Sequence, residues 1–266
     1  MKVKYATSIY HLCRPVDESH AIALARAGYS DGADGTCFEL AGFPPELRTV
    51  DVFRRIVNAV PLPSIFCVYR NDVYLGGDDE ARMEGLLRAA EAGADFIDIM
   101  ADLYDPSADQ ISYSPDAIAR QRAAMDAVHE RGAKVILSSH ILEHPISADQ
   151  AVAHLKAEAE RGADVCKLVS IMPTAADFSE GVEALARLRA SFDRPYIFLG
   201  GGTFGRLQRF TGPSFGCGVE FAVHDFEPSS TYDQPTIRAL RQSMDAVLWQ
   251  APGADFSMTS LARPRM

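Results

Sequence analysis

The stretch Arg161-Gly162-Ala163-Asp164-Val165-Cys166-Lys167-Leu168-Val169-Ser170-Ile171-Met172 decides how the rest of the chain is read. Its first residues end a helical pattern that runs over 147–161. The glycine suits the left-handed position that stops a helix, and the small alanine lets the chain turn tightly. The apolar, β-branched run that follows, 165–171, has the length and composition of a strand, and a new helical pattern opens at 176. The same joint recurs as Ala92-Gly93-Ala94-Asp95 and Arg131-Gly132-Ala133-Lys134, each time between a helical pattern and a strand.

Outward from that stretch the alternation continues to both ends. Strands are expected at 5–10, 36–40, 64–69, 96–101, 134–140, 165–171, 195–201 and 220–224. Helices are expected at 19–28, 46–59, 78–92, 114–131, 147–161, 176–191, 205–212 and 235–249. Eight strands, each followed by a helix, are the count that closes an α/β (β/α)₈ TIM barrel, a fold of about 250 residues. A doubly wound open sheet is the competing architecture, but no glycine-rich dinucleotide fingerprint follows the first strand. The expectation is a single domain over residues 1–250 and a disordered tail over 251–266. The glycine joints fall on the bottom face and concern stability. The irregular segments 70–77, 102–113, 141–145, 200–205 and 225–235 fall on the opposite face, where chemistry in this fold belongs.

Composition narrows the partners. Hydrophobic residues make up 47% and charged residues 23%, enough apolar side chain for a large core, and the formal net charge is -10. An acidic surface disfavours nucleic acid, yet a local group of arginines can still hold a small anion. No run approaches the roughly 18 apolar residues of a membrane span. The first residues read as a strand rather than a signal peptide. The five cysteines, Cys13, Cys37, Cys67, Cys166 and Cys217, are odd in number and contain no C-x-x-C pair. They read as reduced thiols in apolar surroundings, with no metal site, which points to the cytoplasm.

Lysine is scarce: Lys2, Lys4, Lys134, Lys156 and Lys167. Lys167 alone lies inside an apolar strand, on the same face as Val165 and Val169. If that face is the barrel interior, burial should lower its pKa and make the amine a nucleophile near neutral pH. The alternative is a lysine snorkelling to the barrel rim. The preceding strand ends Ile136-Leu137-Ser138-Ser139-His140, which brings a histidine to the neighbouring rim. A histidine beside an imine-forming lysine can shuttle protons and remove one next to the imine carbon. The Gly200–Gly205 turn, with Arg206 or Arg209 behind it, suits a carboxylate, and Arg70 closes the third strand. Residues 229–234 can fold over a ligand as a lid.

Taken in order, these segments resemble the type I 3-dehydroquinate dehydratases over about residues 64–249. Val135-Ile136-Leu137-Ser138-Ser139-His140 resembles that family's catalytic-histidine strand, and Ala163 through Pro173 resembles its Schiff-base lysine segment. Arg209-Phe210-Thr211-Gly212-Pro213-Ser214-Phe215-Gly216 is similar to the segment carrying the carboxylate-binding arginine. Ser230 and Gln234 fall where the family's lid has its serine and glutamine, and Arg70 with Gly76-Gly77 resembles the third-strand arginine and its glycine pair. The resemblance implies that Lys167 and His140 are catalytic, and that Arg209, Arg70, Glu39, Ser230 and Gln234 bind substrate. It implies a small anionic oxo-acid as substrate, no metal or organic cofactor because the protonated imine is the electron sink, and a homodimer.

The chain departs from the family pattern at several places. Leu75 stands where the family has an acid before the glycine pair, in a loop one residue longer, with Asp72 nearby. The second strand reads Glu39-Leu40-Ala41, which keeps the glutamate of a Glu-x-Arg pair and loses the arginine. Leu142 replaces an aromatic residue, Gly200 and Gly201 open space usually taken by bulkier side chains, and Tyr232 replaces a proline. These changes leave two enzymatic readings, dehydration of 3-dehydroquinate or a near relative, and elimination or retro-aldol cleavage of another oxo-acid. A ligand-sensing homologue without catalysis is a third, which retention of both Lys167 and His140 disfavours.

Overall fold

The computed structural model describes residues 7–228 and 230–248. Lys2, Lys4, the start of the expected first strand and the tail 251–266 lie outside the described residues. Eight parallel strands alternate with eight helices: β1 (Ser8–Cys13), α1 (Glu18–Ser30), β2 (Gly35–Glu39), α2 (Val50–Val57), β3 (Ser64–Cys67), α3 (Asp79–Glu91), β4 (Phe96–Met100), α4 (Pro115–Glu130), β5 (Lys134–Ile141), α5 (Ala148–Arg161), β6 (Val165–Ile171), α6 (Ala175–Ser191), β7 (Tyr196–Gly201), α7 (Gly205–Thr211), β8 (Val219–Ala222) and α8 (Ile237–Leu248). Hydrogen-bonded ladders run β7-β6-β5-β4-β3-β2-β1-β8, the order of a (β/α)₈ barrel.

The glycine joints are built as their sequence implies. Gly93, Gly132 and Gly162 have φ of 103°, 78° and 106°, values that favour glycine. A further copy, Gly32-Ala33-Asp34, has Gly32 at φ 86°. In three of the joints the aspartate does a second job. Asp34, Asp95 and Asp164 accept from the backbone N–H of Ile9, Ser64 and Val135, at 2.8, 2.9 and 2.8 Å. Each carboxylate thus satisfies an amide at the start of the neighbouring strand.

Two elements differ from expectation. The expected helix 46–59 is a 3₁₀ turn, Pro45–Leu47, followed by α2, because the Thr49 side chain accepts from Val52 N–H and starts a new helix there. The first strand runs Ser8–Cys13, three residues later than expected. Its ladder pairs Tyr10, His11, Leu12 and Cys13 with residues 35–38 of β2, which carries Arg14 to the functional face.

The last seam closes by other means. Between β7 and β8 the backbone is joined by Gly218 N–H to Tyr196 O at 2.7 Å. Above that point Gln208 of α7 donates to Phe198 O at 2.8 Å and accepts from Gly200 N–H at 2.5 Å. Arg209 Nε donates to Gly200 O at 3.0 Å. Two side chains of α7 therefore satisfy the free edge of β7 above that point, and the second of them lines the barrel mouth. Outside the strands, α2 packs the Phe53 ring on Phe66, 5.1 Å between centroids, within one continuous apolar core.

Candidate active site

A cavity of about 370 Å³ opens at the C-terminal ends of the strands, a size suited to a small ligand. Alternation decides its floor. Leu12, Glu39, Tyr69, Met100, His140, Lys167, Val169, Leu199, Gly201 and Phe221 all line it. Lys167 and Val169 therefore face the barrel interior, as the strand pattern requires.

Lys167 is 3% exposed, and its ammonium has two oxygen partners. Nζ lies 2.8 Å from Asp98 Oδ2 and 2.6 Å from the Tyr69 hydroxyl. That hydroxyl donates to the same Asp98 oxygen at 2.8 Å, and Ser138 Oγ donates to the other. Burial alone would lower the Lys167 pKa, which is the sequence-based expectation. Burial is the largest single effect, but the Asp98 charge and hydrogen bond together with the nearby Cys67 and Cys37 outweigh it, and the pKa is raised above 10.5. In the resting protein Lys167 is thus an ammonium in an ion pair.

His140 sits one layer above, paired in register with Val169, while Ser138 is the residue opposite Lys167. Its backbone N–H donates to Gln110 Oε1 at 2.7 Å, and its ring packs edge-on to Tyr69 at 4.6 Å. Desolvation, then the Lys167 and Arg209 charges, hold its pKa well below 6.5. No carboxylate enters that balance, so the imidazole is neutral and available as a base near pH 7.

The rim is polar. Glu39 accepts from Arg14 Nε at 2.8 Å and from Asn71 Nδ2 at 3.1 Å. Arg70 is held by Asp102 at 2.6 Å and Asp79 at 3.1 Å. Arg209 is 5% exposed, and one of its terminal nitrogens has no hydrogen-bond partner among the described residues. The same holds for Gln234 Oε1. The lining carries four cations (Arg14, Arg70, Lys167, Arg209) against two carboxylates (Glu39, Asp233). Lys167, Arg70 and Arg14 are each paired with a carboxylate, so the cation best placed for a small anion is Arg209, with its unpartnered terminal nitrogen.

Other expected residues stand elsewhere. Ser230 Oγ accepts from Glu227 N–H at 2.9 Å, and its side chain lines a neighbouring cleft rather than the main cavity. Arg206 reaches over Tyr232 O outside the cavity. In the Gly200–Gly205 turn, Phe204 N–H is engaged on Met172 O and Gly205 N–H on Gly202 O, both 3.0 Å. Gly200 does not open space. A β-carbon there would lie 3.0 Å from Gly205 Cα, so the glycine lets α7 approach. Gly201 does line the cavity, beneath Asp233 and Leu142.

A family model for type I 3-dehydroquinase matches residues 41–247. The chain belongs to the type I 3-dehydroquinase family. A 3-dehydroquinate dehydratase of Aromatoleum aromaticum is 30% identical over 208 residues, 75% of this chain and 73% of the relative. That of Klebsiella pneumoniae is 28% identical over 194 residues, 72% and 71% of the two chains. The match to the enzyme of Alkaliphilus oremlandii spans 39% of its length. Among solved structures, a type I 3-dehydroquinate dehydratase from Clostridium difficile superposes with a TM-score of 0.75 at 17% identity, over 93% of this chain and 97% of that one. The family is one of carbon–oxygen lyases.

Within this chain the departures from the family pattern have structural answers. Asp72 does not replace the missing loop acid. Its carboxylate is buried on Arg48 at 2.5 Å and caps Tyr74 and Leu75 N–H at 2.8 Å each. The arginine lost at position 41 is answered from another strand, by Arg14 on Glu39. Arg14, Asp98 and Tyr69 were not among the residues picked out by the sequence. Asp98 carried a usable signal, an acid inside the apolar run Phe96-Ile97-Asp98-Ile99-Met100.

Proposed function

We propose that this chain dehydrates 3-dehydroquinate or a closely related cyclic oxo-acid through an imine on Lys167. The observation that carries the reading is a buried lysine at the floor of the cavity with a histidine in the next layer and an arginine of unpartnered terminal nitrogen on the rim. Arg209 and Gln234 offer unpartnered polar atoms for the substrate carboxylate and hydroxyls. The Lys167 amine adds to the ring ketone and water leaves, giving a protonated imine. His140 removes the proton from the adjacent carbon, and the electrons flow into the imine. Returned from the enamine, they expel the β-hydroxyl, which leaves as water with the proton that His140 holds. Hydrolysis of the imine frees the enone acid and restores Lys167. The imine is the electron sink, so the reaction requires no metal or organic cofactor. A cytoplasmic location and a homodimer belong to the same proposal, supported by five buried free thiols in the first case and by the family resemblance in both.

A second reading, the same imine chemistry on a different oxo-acid, is favoured by the rim. Arg14 approaches Glu39 from β1, and Arg70 is already neutralised by two carboxylates. Hydroxyl contacts there differ in direction from those of a Glu-x-Arg pair on one strand.

The test is intact-mass spectrometry after incubation with 3-dehydroquinate and sodium borohydride, beside Lys167→Ala. Under the first reading the wild type gains a single adduct and produces an absorbing enone, and the variant does neither. An adduct without enone selects the second reading. Absence of an adduct with 3-dehydroquinate and with a panel of oxo-acids refutes both.

A further inference from the structure

Tyr69 touches three of the groups on which the reaction turns. Its hydroxyl accepts from Lys167 Nζ at 2.6 Å and donates to Asp98 Oδ2 at 2.8 Å, and its ring lies edge-on to His140. Its direction is fixed by donor arithmetic. An ammonium can only donate and an ionised carboxylate can only accept, so the phenolic proton points at Asp98 while a lone pair faces Lys167. His140 stands apart from this set. Its register partner is Val169, and no hydrogen bond from its ring to Lys167, Asp98 or Tyr69 is formed among the described residues.

Resting on the imine reading above, we propose that Tyr69 is a further catalytic residue, the acid that carries a proton to the departing oxygen during imine formation. Asp98 takes one proton from the Lys167 ammonium, leaving a neutral amine. The amine nitrogen attacks the ketone carbon, the C=O π electrons move to oxygen, and a proton passes from nitrogen to that oxygen to give the carbinolamine. Tyr69 then donates its phenolic proton to the carbinolamine hydroxyl as the C–O bond breaks, and nitrogen's lone pair forms the C=N bond. Asp98 returns its proton to the phenolate. Of the three ammonium protons, one stays on the iminium nitrogen and two leave with the water. Asp98 ends ionised opposite the iminium, as it began opposite the ammonium. Imine hydrolysis at the end of the cycle runs the same transfers backward.

Geometry supports the assignment in two further ways. The carbinolamine hydroxyl is bound to the carbon that Lys167 Nζ has attacked, two bonds from a nitrogen already within hydrogen-bond reach of the phenol. Burial and the Asp98 charge raise the Tyr69 pKa well above 10, so the proton stays on oxygen until a developing hydroxide draws it away. The arrangement divides the labour: Tyr69 with Asp98 serves the nitrogen end of the substrate, and His140 serves the carbon next to it.

Tyr69→Phe keeps the ring against His140 and removes the hydroxyl alone. In a His140→Ala background the chemistry halts at the imine, so the rate of borohydride trapping reads that step by itself. Adding Tyr69→Phe is expected to slow trapping by about 10²-fold, the scale of one general acid. Circular dichroism and the melting temperature of the double variant establish that it is folded. Trapping within threefold of His140→Ala overturns the assignment and leaves Tyr69 a packing residue. Failure of the wild type to be trapped at all overturns the imine reading itself, and this proposal with it.

Discussion

On the floor of the cavity Lys167, Asp98, Tyr69 and Ser138 satisfy one another's polar atoms, while on the rim Arg209 and Gln234 each keep an atom without a protein partner. The floor hangs from adjacent strands, with Asp98 on β4, Ser138 on β5 and Lys167 on β6, so ladder register alone sets their spacing. The rim comes from loop residues and strand ends, Arg14 after β1, Asn71 after β3 and residues 231–234 after β8. A closed polar network in a low-dielectric interior resists change and fixes the reacting groups. Arg14 and Arg70 on the rim are partly exposed and can be exchanged at lower cost, which is where specificity within one reaction type is free to vary. The difference teaches that chemistry and substrate choice are separable in this barrel.

The comparison breaks most sharply at Asp98. Asp98→Asn leaves Lys167 charged, buried and facing a neutral amide, and losing one partner of a buried pair costs about 3–5 kcal/mol. The pH dependence gives the signature. With Asp98 present the Lys167 pKa is raised, so its stabilising contribution is complete below 10.5 and fades only above it. In the variant burial, the largest effect, no longer faces the Asp98 charge, and the pKa falls below that of the unfolded chain. The unfolded state then binds more protons, so stability climbs as pH rises toward 10.5. Urea denaturation from pH 7 to 9 should show the variant's deficit shrinking. A deficit that stays constant means that Lys167 keeps its proton in the folded variant across that range.

The sequence showed Lys167 and His140, and Glu39, Arg70, Arg209 and Gln234 on the rim, but neither the partners of Lys167 on the floor nor Arg14, for physical reasons. Lys167 stood out because an ammonium inside an apolar strand needs a special reason. His140 followed from the end of the neighbouring strand. Asp98 could have been found by the same argument, because a buried lysine calls for an anion within a few ångströms. Its absence from the reading explains the wrong sign for Lys167: burial was counted and the partner was not. Arg14 stayed hidden because the first strand was placed three residues early, which left it beyond the strand end. Ser230 was placed by resemblance to the family's lid, but a resemblance in sequence cannot say which way a loop side chain turns. Here the Glu227 amide takes its oxygen.

On the rim the expected effects are smaller and of a different kind. Arg14→Ala removes a charged hydrogen-bonding group, worth about 1.5–3 kcal/mol, without touching the floor. KM should rise by roughly 10- to 100-fold, with kcat changed far less, since the contact serves ground and transition states alike. Arg209→Ala should behave in the same direction. Steady-state kinetics decide it, and a fall in kcat with KM unchanged places Arg14 in the chemistry rather than in substrate binding.

The lid sharpens the comparison at its lower end. Gln234 is 4% exposed and lines the cavity with Oε1 unpartnered, while Ser230 is turned into the adjoining cleft. A neutral hydrogen bond is worth about 0.5–1.5 kcal/mol, so Gln234→Ala should raise KM by roughly 2- to 10-fold. Ser230→Ala gives up only a turn contact to Glu227 and should change KM by less than about twofold if the lid binds substrate as it stands. Equal penalties in the two variants would show that the loop re-forms on binding, releasing the Glu227 amide so that the serine swings inward. In that event the specificity of the rim is set partly by the cost of breaking that turn, and strengthening the turn should weaken substrate binding without altering the floor.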